Sequence, residues 1–180
     1  FSGCIALSKV VIGSGLSTID INTFYGCSSL ANLTIGENVA SIGESAFREC
    51  LSLIDVTLPE KLTTINVTAF QGCTSITSIT IPDAVTTLGR SAFYGCTALK
   101  KAVIGDGVAT IMNGAFYGCI SLEEVLFGNR VTTINQGAFE DCTSLSSISL
   151  PKTINKIDAY AFQGCTSLNE VTCSATTPPT

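Results

Sequence analysis

One period runs through the whole sequence: a phenylalanine returns every 23 residues without a shift in spacing. A cysteine follows each of them three residues later. A fixed period of this length indicates an array in which one supersecondary unit stacks on the next copy of itself. The ladders are Phe1, Phe24, Phe47, Phe70, Phe93, Phe116, Phe139 and Phe162, with Cys4, Cys27, Cys50, Cys73, Cys96, Cys119, Cys142 and Cys165. We therefore predict one solenoid domain over residues 1–180, with seven full repeats and a truncated eighth, and expect it to be part of a longer chain.

Composition and charge argue against a membrane span and against a nucleic-acid partner. The chain is 46% hydrophobic, yet no apolar run reaches the length that a membrane span needs. The net charge of −5 and the pI near 4.6 give no basic face for nucleic acid. We predict neither a membrane span in this chain nor a nucleic-acid partner.

A half-buried strand is predicted in every repeat. Counted from each phenylalanine as position 0, positions +6, +9, +11, +15 and +18 are aliphatic almost throughout. Positions +9 and +11 alternate with polar residues, as in SITSITIP at 75–82, which is the period of a strand with one buried face. Glycine or proline at +12 ends this strand at a first corner.

A second short extended stretch, as in VTTI at 131–134, a second corner and a short helical turn are expected on the other side of each repeat. The corner is predicted to be left-handed at Asp20, Gly43, Asn66, Gly89, Asn135 and Asp158. Apolar residues at −1, 0, +3 and +6 then have the spacing of one face of a short helix or 3₁₀ turn. Ser45, Thr68 and Ser91 are its predicted caps, and glycine at +2, as at Gly72, its left-handed end.

The repeat LxxIxIPxxVTxIGxxAFxGCxS resembles the BspA-like, or treponemal-type, leucine-rich repeat over the whole chain. That resemblance implies an α/β fold: a right-handed solenoid of stacked 23-residue coils with a parallel β-sheet on one face. It also implies a cell-surface or secreted location and a role in adhesion. The sequence departs from the pattern at Glu49 and Asp141, which replace the glycine at +2, at Met112, which replaces the second-corner residue, and at Cys173 in the last strand.

The cysteines are predicted to be reduced and buried. They lie on the same face as the buried phenylalanines, and free cysteine is among the most buried residue types. Disulfide pairing between coils is the alternative, but parallel Cβ vectors at the ~4.8 Å coil spacing are wider apart than a disulfide prefers. A zinc site is disfavoured because the chain has no CxxC motif and no histidine.

Catalysis is not predicted, and no cofactor is expected. Without histidine, Ser-His-Asp and Cys-His arrangements are excluded, and no phosphate loop is present. The best paired carboxylates share position +13. Neighbouring acids there could hold a cation such as Ca²⁺, whereas the simpler interpretation is a solvated acidic ridge. The members of this acidic ridge are Glu37, Glu60, Asp83 and Asp106.

Two further surface features have a simple and a functional interpretation. Tyr25, Tyr94 and Tyr117 share position +1, and the last two lie on adjacent coils, where they would suit a sugar or a protein partner. Scattered surface aromatics are the simpler account. Asn32 and Asn66 begin NLT and NVT, which are glycosylation acceptors only in a eukaryotic secretory pathway and are expected by chance in this composition.

The predicted partner site lies on the outward side of the main sheet. Most residues at +10 are Thr or Ser, but Val103 and Leu126 are aliphatic on adjacent coils. Charges of both signs surround them, as Lys100, Lys101, Glu123 and Glu124. An apolar centre with a polar border is the general anatomy of an interface, although the charges could equally be cross-strand pairs.

The sequence thus favours a non-catalytic interaction module of a surface adhesin. Its partner would be a protein, such as host matrix or another cell surface, or a glycan. A carbohydrate-binding segment of a larger extracellular enzyme and a structural spacer are the alternatives.

Overall fold

Residues 1–175 are described by the computed structural model, in which fourteen strands follow one another and every pairing is parallel. Paired strands are one period apart, so that Lys101 lies opposite Glu124 and Ser41 opposite Thr64. The 23-residue period is therefore the register of the solenoid. Residues 176–180, which belong to the predicted domain, lie outside the described residues.

Each coil, taken from one phenylalanine to the next, has a main face and a second face. The main face is formed by β1 (Lys9–Val11), β3 (Asn32–Thr34), β6 (Ser78–Ile81), β8 (Lys101–Ile104), β10 (Glu124–Leu126), β12 (Ser147–Leu150) and β14 (Glu170–Cys173). The second face is formed by two-residue strands: β2 (Thr18–Ile19), β4 (Ser41–Ile42), β5 (Thr64–Ile65), β7 (Thr87–Leu88), β9 (Thr110–Ile111), β11 (Thr133–Ile134) and β13 (Lys156–Ile157).

The core lies between these faces and is built by the ladders seen in the sequence. Phe47, Phe70, Phe93, Phe116 and Phe139 are fully buried, and neighbouring rings stack almost parallel with centroids 5.3–5.5 Å apart. Burial of one such side chain stabilises the fold by about 1.5–3 kcal/mol. Because each ring contacts the next coil, the core stabilises the stack rather than any single coil.

The predicted helix or 3₁₀ turn is wrong: residues 1–175 contain no helix, and the AFxGC segment is a run of turns. Its N–H groups alternate between two directions. Phe47 and Glu49 donate to the next coil, at Ala69 O and Gln71 O, both at 2.8 Å. Arg48 and Cys50 donate three residues back within their own coil, both at 3.2 Å. The three-residue spacing in the sequence reflects those turns, and half of the donors are needed between coils, so no helix forms.

The left-handed residues lie on both sides of the phenylalanine. Glycine at +2 has the predicted conformation, with φ of 73° at Gly72, and its replacements Glu49 and Asp141 keep it at 61° and 59°. The predicted caps are wrong, because Ser45 and Thr68 are themselves left-handed, with φ of 53° and 55°, and a cap is normally extended. Ser91 is the same, with φ of 54°.

The predicted left-handed second corner is also wrong, since none of its six residues has a positive φ. Glycine is needed at Gly43 and Gly89 for a different reason. A Cβ there would lie 2.6 and 2.4 Å from backbone carbons of the preceding coil. Close approach of two coils, rather than backbone handedness, therefore favours glycine at these two positions.

The main face is not one continuous sheet, contrary to the prediction of a strand in each repeat. Its hydrogen-bonded groups are β1-β3, β6-β8-β10 and β12-β14. In the coil between β3 and β6 only Asp55 forms an isolated bridge, to Asn32, although Val56 and Leu58 remain buried. Side-chain alternation therefore predicts burial there without ensuring strand hydrogen bonds.

Candidate functional site

The structure places four of the six predicted partner residues on the paired strands β8 and β10. Val103 lies directly opposite Leu126, and Lys101 opposite Glu124. Leu126 is 45% exposed, whereas Val103 is half-buried. The two aliphatic side chains form a small apolar spot on the outer surface of the main face, which we call the β8–β10 spot.

Some of the surrounding charge is neutralised within the chain. Lys101 Nζ lies 2.7 Å from Glu124 Oε2, as a cross-strand pair. Lys100 and Glu123 are exposed just before the two strands, and neither takes part in the three ion pairs found among residues 1–175. One lysine and one glutamate next to the two strands are therefore exposed without an ion pair among the described residues.

A third aliphatic residue lies on this surface and was not among the predicted site residues. Val11, on β1, occupies the same position of the repeat and is 65% exposed. The sequence does single out Val11, because most coils have Thr or Ser at this position. Val11 lies four coils from Val103, so it does not enlarge the β8–β10 spot.

Two members of the acidic ridge accept hydrogen bonds from the next coil. Asp83 Oδ1 accepts the backbone N–H of Asp106 at 2.8 Å, and Asp106 Oδ1 accepts that of Asn129 at 2.7 Å. Glu37 and Glu60 line a cavity of about 470 Å³ beside the interruption of the main face. Nowhere in residues 1–175 do three His, Cys, Asp or Glu residues cluster as metal ligands would.

The buried thiols of the ladder lie in the core and are hydrogen-bonded to the neighbouring coil. Each buried Sγ donates to the carbonyl of the phenylalanine in the preceding coil, as from Cys96 to Phe70 at 3.3 Å. Burial raises the pKa of Cys96 well above its usual value and that of Cys50 to about 12. A reactive cysteine needs exposure and a lowered pKa, so these thiols are structural. The two ends of the ladder differ, since Cys4 is exposed and Cys165 half-buried.

The tyrosines form two separate arrangements along position +1. Tyr94 and Tyr117 stack with centroids 4.8 Å apart and an interplanar angle of 2°. Tyr25 instead lies under the guanidinium of Arg48, whose Cζ is 5.7 Å from the ring centroid. Arg48 Nε also lies 3.3 Å from Glu49 Oε1. Arg48 and Glu49 were missed as a surface site, although Glu49 was noted as a departure from the repeat.

The two glycosylation motifs lie in different surroundings. Asn32 is exposed on β3. Asn66 is half-buried, and its Nδ2 donates to Ile42 O at 2.9 Å. Asn66 thus has a structural role at the second corner.

Comparison with known proteins agrees with the architecture. The sequence matches the BspA type leucine rich repeat region, in six copies, over residues 1–119 and 86–178. No curated protein matches the sequence. As no helix occurs in residues 1–175, none of the described segments is a helix able to cross a membrane.

Several solved structures are similar to this one. A leucine-rich repeat protein from Bacteroides ovatus is 34% identical with a TM-score of 0.87, over 95% of this chain and 44% of its own. The leucine rich repeat protein of T. pallidum is 31% identical with a TM-score of 0.76, over 81% of this chain and 68% of its own. A leucine rich cell surface protein from Faecalibacterium prausnitzii is 24% identical with a TM-score of 0.69, over 94% and 60%, and shows the fold alone.

This chain spans less than half of the B. ovatus protein. The family match nevertheless extends over nearly all of its residues, and the same 23-residue register holds the phenylalanine and cysteine ladders in place. The chain belongs to the BspA-type leucine-rich repeat family.

Proposed function

We propose that this chain is a non-catalytic protein-interaction module of a surface or secreted protein, and that it binds its partner at the β8–β10 spot. Support for the module comes from family membership and from the name of the F. prausnitzii protein, which is called a cell surface protein. Adhesion to host matrix or to another cell is the role that we propose for the whole protein.

The observation that carries the site is the pairing of Val103 with Leu126 across β8 and β10. Two aliphatic side chains directly opposite each other form one apolar contact area, whereas Thr and Ser fill this row in most other coils. The exposed Lys100 and Glu123 provide a polar border. An apolar centre with a polar rim fits a protein partner.

The site is small, and this limits the affinity that it can contribute. Two partly exposed aliphatic residues are well below the size of a standard protein interface. We expect them to be the centre of a larger contact that extends over the polar Thr and Ser rows of neighbouring strands.

The double substitution Val103→Ser with Leu126→Ser tests the site. Both side chains point away from the core, so the fold should be retained while partner binding weakens about tenfold, which is ~1.4 kcal/mol. A screen of matrix proteins and glycans would identify the partner, and surface plasmon resonance would measure the loss. Selective binding of glycans in the screen would favour the carbohydrate-binding alternative.

A matched control removes two exposed aliphatic side chains elsewhere. Ile21 and Val67 are 58% and 39% exposed and lie away from the main face. Ile21→Ser with Val67→Ser should leave partner binding unchanged. Equal losses in both double variants would refute the proposed site.

A further inference from the structure

The two tyrosine arrangements at position +1 have similar neighbours in the following coil. In the first, a tyrosine is followed one coil later by Arg48 at +1 and Glu49 at +2. In the second, Tyr117 is followed one coil later by Glu140 at +1 and Asp141 at +2. Both arrangements therefore have an aromatic ring at +1 and a carboxylate at +2 of the next coil, but only the first arrangement includes a cation.

The first arrangement shows how these rows hold a guanidinium. The group of Arg48 lies over the Tyr25 ring of the preceding coil, 5.7 Å from its centroid, and contacts the neighbouring carboxylate of Glu49 at 3.3 Å. An aromatic face and a carboxylate are both favourable partners for a guanidinium, through cation–π attraction and charge-assisted hydrogen bonds. The chain thus binds a cation from its own sequence at this point.

The backbone presents the carboxylate in the same way in both places. Glu49 and Asp141 replace the usual glycine at +2, and their φ values of 61° and 59° are nearly equal. Each side chain lies against the glycine of the next coil: a Cβ on Gly72 would meet Glu49 Cγ, and one on Gly164 would meet Asp141 Oδ1. The two residues therefore share a backbone conformation and a glycine neighbour, although the contact is through Cγ in Glu49 and through a carboxylate oxygen in Asp141.

The second arrangement is more acidic and is not neutralised within the chain. Neither Glu140 nor Asp141 takes part in an ion pair of the described residues. Hydrogen bonding with the Asp141 carboxylate, together with its charge and that of Glu140, raises the pKa of Tyr117, so both acids act on this ring. Glu140 itself lies beside the bare backbone of Gly137.

The Tyr117 ring has a different neighbouring coil on each side. Tyr94, on the preceding coil, covers one face of the Tyr117 ring. The coil that carries Glu140 and Asp141 is on the opposite side of Tyr117, as the coil carrying Arg48 is for Tyr25. A guanidinium entering from solvent would meet the ring and the carboxylates together.

We infer that Tyr117, Glu140 and Asp141 form a binding site for an arginine side chain of a protein partner. This site lies outside the main face and does not depend on the function proposed for the β8–β10 spot. The chain's net charge of −5 favours approach of such a basic segment.

The test is an NMR titration with the blocked tripeptide acetyl-Gly-Arg-Gly-amide. One solvent-exposed cation site of this kind should bind with a dissociation constant on the order of millimolar. Saturable shifts are expected in the amides of Tyr117, Gly118 and residues 140–142. The same peptide with citrulline, which has nearly the same shape without the charge, should cause none.

Three variants test which residues bind the arginine peptide. Glu140→Arg should supply the missing cation from within the chain and abolish binding, and the Arg48 arrangement shows that the fold accepts it. Asp141→Asn keeps a residue type that tolerates this φ and should weaken binding about fivefold. Arg48→Glu should create a second site, with new shifts near Gly26 and Glu49.

Glu123→Gln, beside the β8–β10 spot, is the matched control and should leave the titration unchanged. The inference is overturned if the arginine and citrulline peptides bind equally, if no shift occurs, or if Glu140→Arg binds as the wild type does. Should that variant fail to fold, unaltered binding by Asp141→Asn would overturn it equally. None of these outcomes depends on partner binding at the main face.

Discussion

At the scale of single residues, each cysteine of the ladder fills the core and donates a hydrogen bond between coils. Phe70 O accepts the Sγ of Cys96 from the next coil and the N–H of Cys73 from its own. Valine would fill similar space but could not make the first of these contacts. The cysteine is therefore suited to its position by both size and polarity, which explains its recurrence without any redox or catalytic role.

The buried thiols should make stability fall at alkaline pH. Their pKa values are raised in the folded state, to about 12 for Cys50, because burial disfavours the thiolate. The contribution to stability is complete below the unfolded pKa of ~8.5. It is lost as pH rises from there towards the folded pKa, at about 1.4 kcal/mol per thiol and pH unit. Urea denaturation at pH 7.5 and 9.5 would measure this loss.

The matched variant is Cys96→Ala. It should reduce the slope of the unfolding free energy against pH by the contribution of one thiol, about 1.4 kcal/mol per pH unit. A slope that is the same in the variant, or absent in the wild type, would contradict the explanation. The variant should also be less stable at pH 7.5, because it leaves a small cavity and removes the Sγ contact with Phe70.

The left-handed residue at +2 gives a second test at this scale. Gly95 has φ of 68°, and nothing lies within 4 Å of the Cβ that alanine would add. Gly95→Ala should therefore destabilise through backbone strain alone, by about 1–2 kcal/mol. Glu49→Gly should relieve similar strain and stabilise by about 0.5–1 kcal/mol, less what its exposed pair with Arg48 contributes. Thermal denaturation of both variants would check the opposite signs.

At the scale of elements, the second face is interrupted between β7 and β9, where Met112 stands at the second corner. In other coils the residue at this corner donates its N–H to the preceding coil, as from Gly43 to Ile19 O and Gly89 to Ile65 O, both at 2.7 Å. No such bond joins Met112 to Leu88 within residues 1–175. A cavity of about 350 Å³ lies at this junction. The departure from the repeat in the sequence thus coincides with a gap in the hydrogen-bond ladder.

Met112→Asn should close this gap. Asn66 occupies the same corner and donates both its N–H and its Nδ2 to Ile42 O. The variant should make the equivalent bonds to Leu88 O and raise amide exchange protection at residues 109–112 about tenfold, which is ~1.4 kcal/mol. Met112→Leu keeps the bulk and should change nothing. If protection in the Asn variant stays at the wild-type level, another cause of the gap must be sought.

At the scale of the whole molecule, stability comes from contacts between neighbouring coils. The stacked phenylalanines, the parallel strands and the turn N–H groups that donate to the next coil all join residues about one period apart. Such arrays behave approximately as one-dimensional chains of units with nearest-neighbour coupling. No insertion interrupts the period, so the coils should form a single rod.

Small-angle scattering would test this shape. Eight coils at ~4.8 Å give a core about 40 Å long, and the profile should fit one elongated body. Two separated lobes would contradict the continuous stack. A concentration series should accompany the measurement, so that association between molecules is not mistaken for length.

The sequence by itself determined the period, the register of the stack and the identity of the core. One coil cannot bury its own apolar face, so a strict repeat of Phe, Cys and aliphatic positions requires stacking in register. It also placed Val103 beside Leu126 correctly, because residues 23 apart must lie on adjacent coils.

Only the tertiary structure decided how the backbone between those positions is hydrogen-bonded. The AFxGC segment has helical spacing, but its alternate N–H groups bind the next coil, as from Phe47 to Ala69 O, and this excludes a helix. Gly43 looked like a left-handed residue and proved to be a point of close contact. The contact of Arg48 with Tyr25 and Glu49 could not be predicted from a single repeat either. The ring belongs to one coil and the two charged side chains belong to the next. Sequence periodicity shows which residues are brought together, whereas the directions of N–H groups and side chains depend on the neighbouring coil.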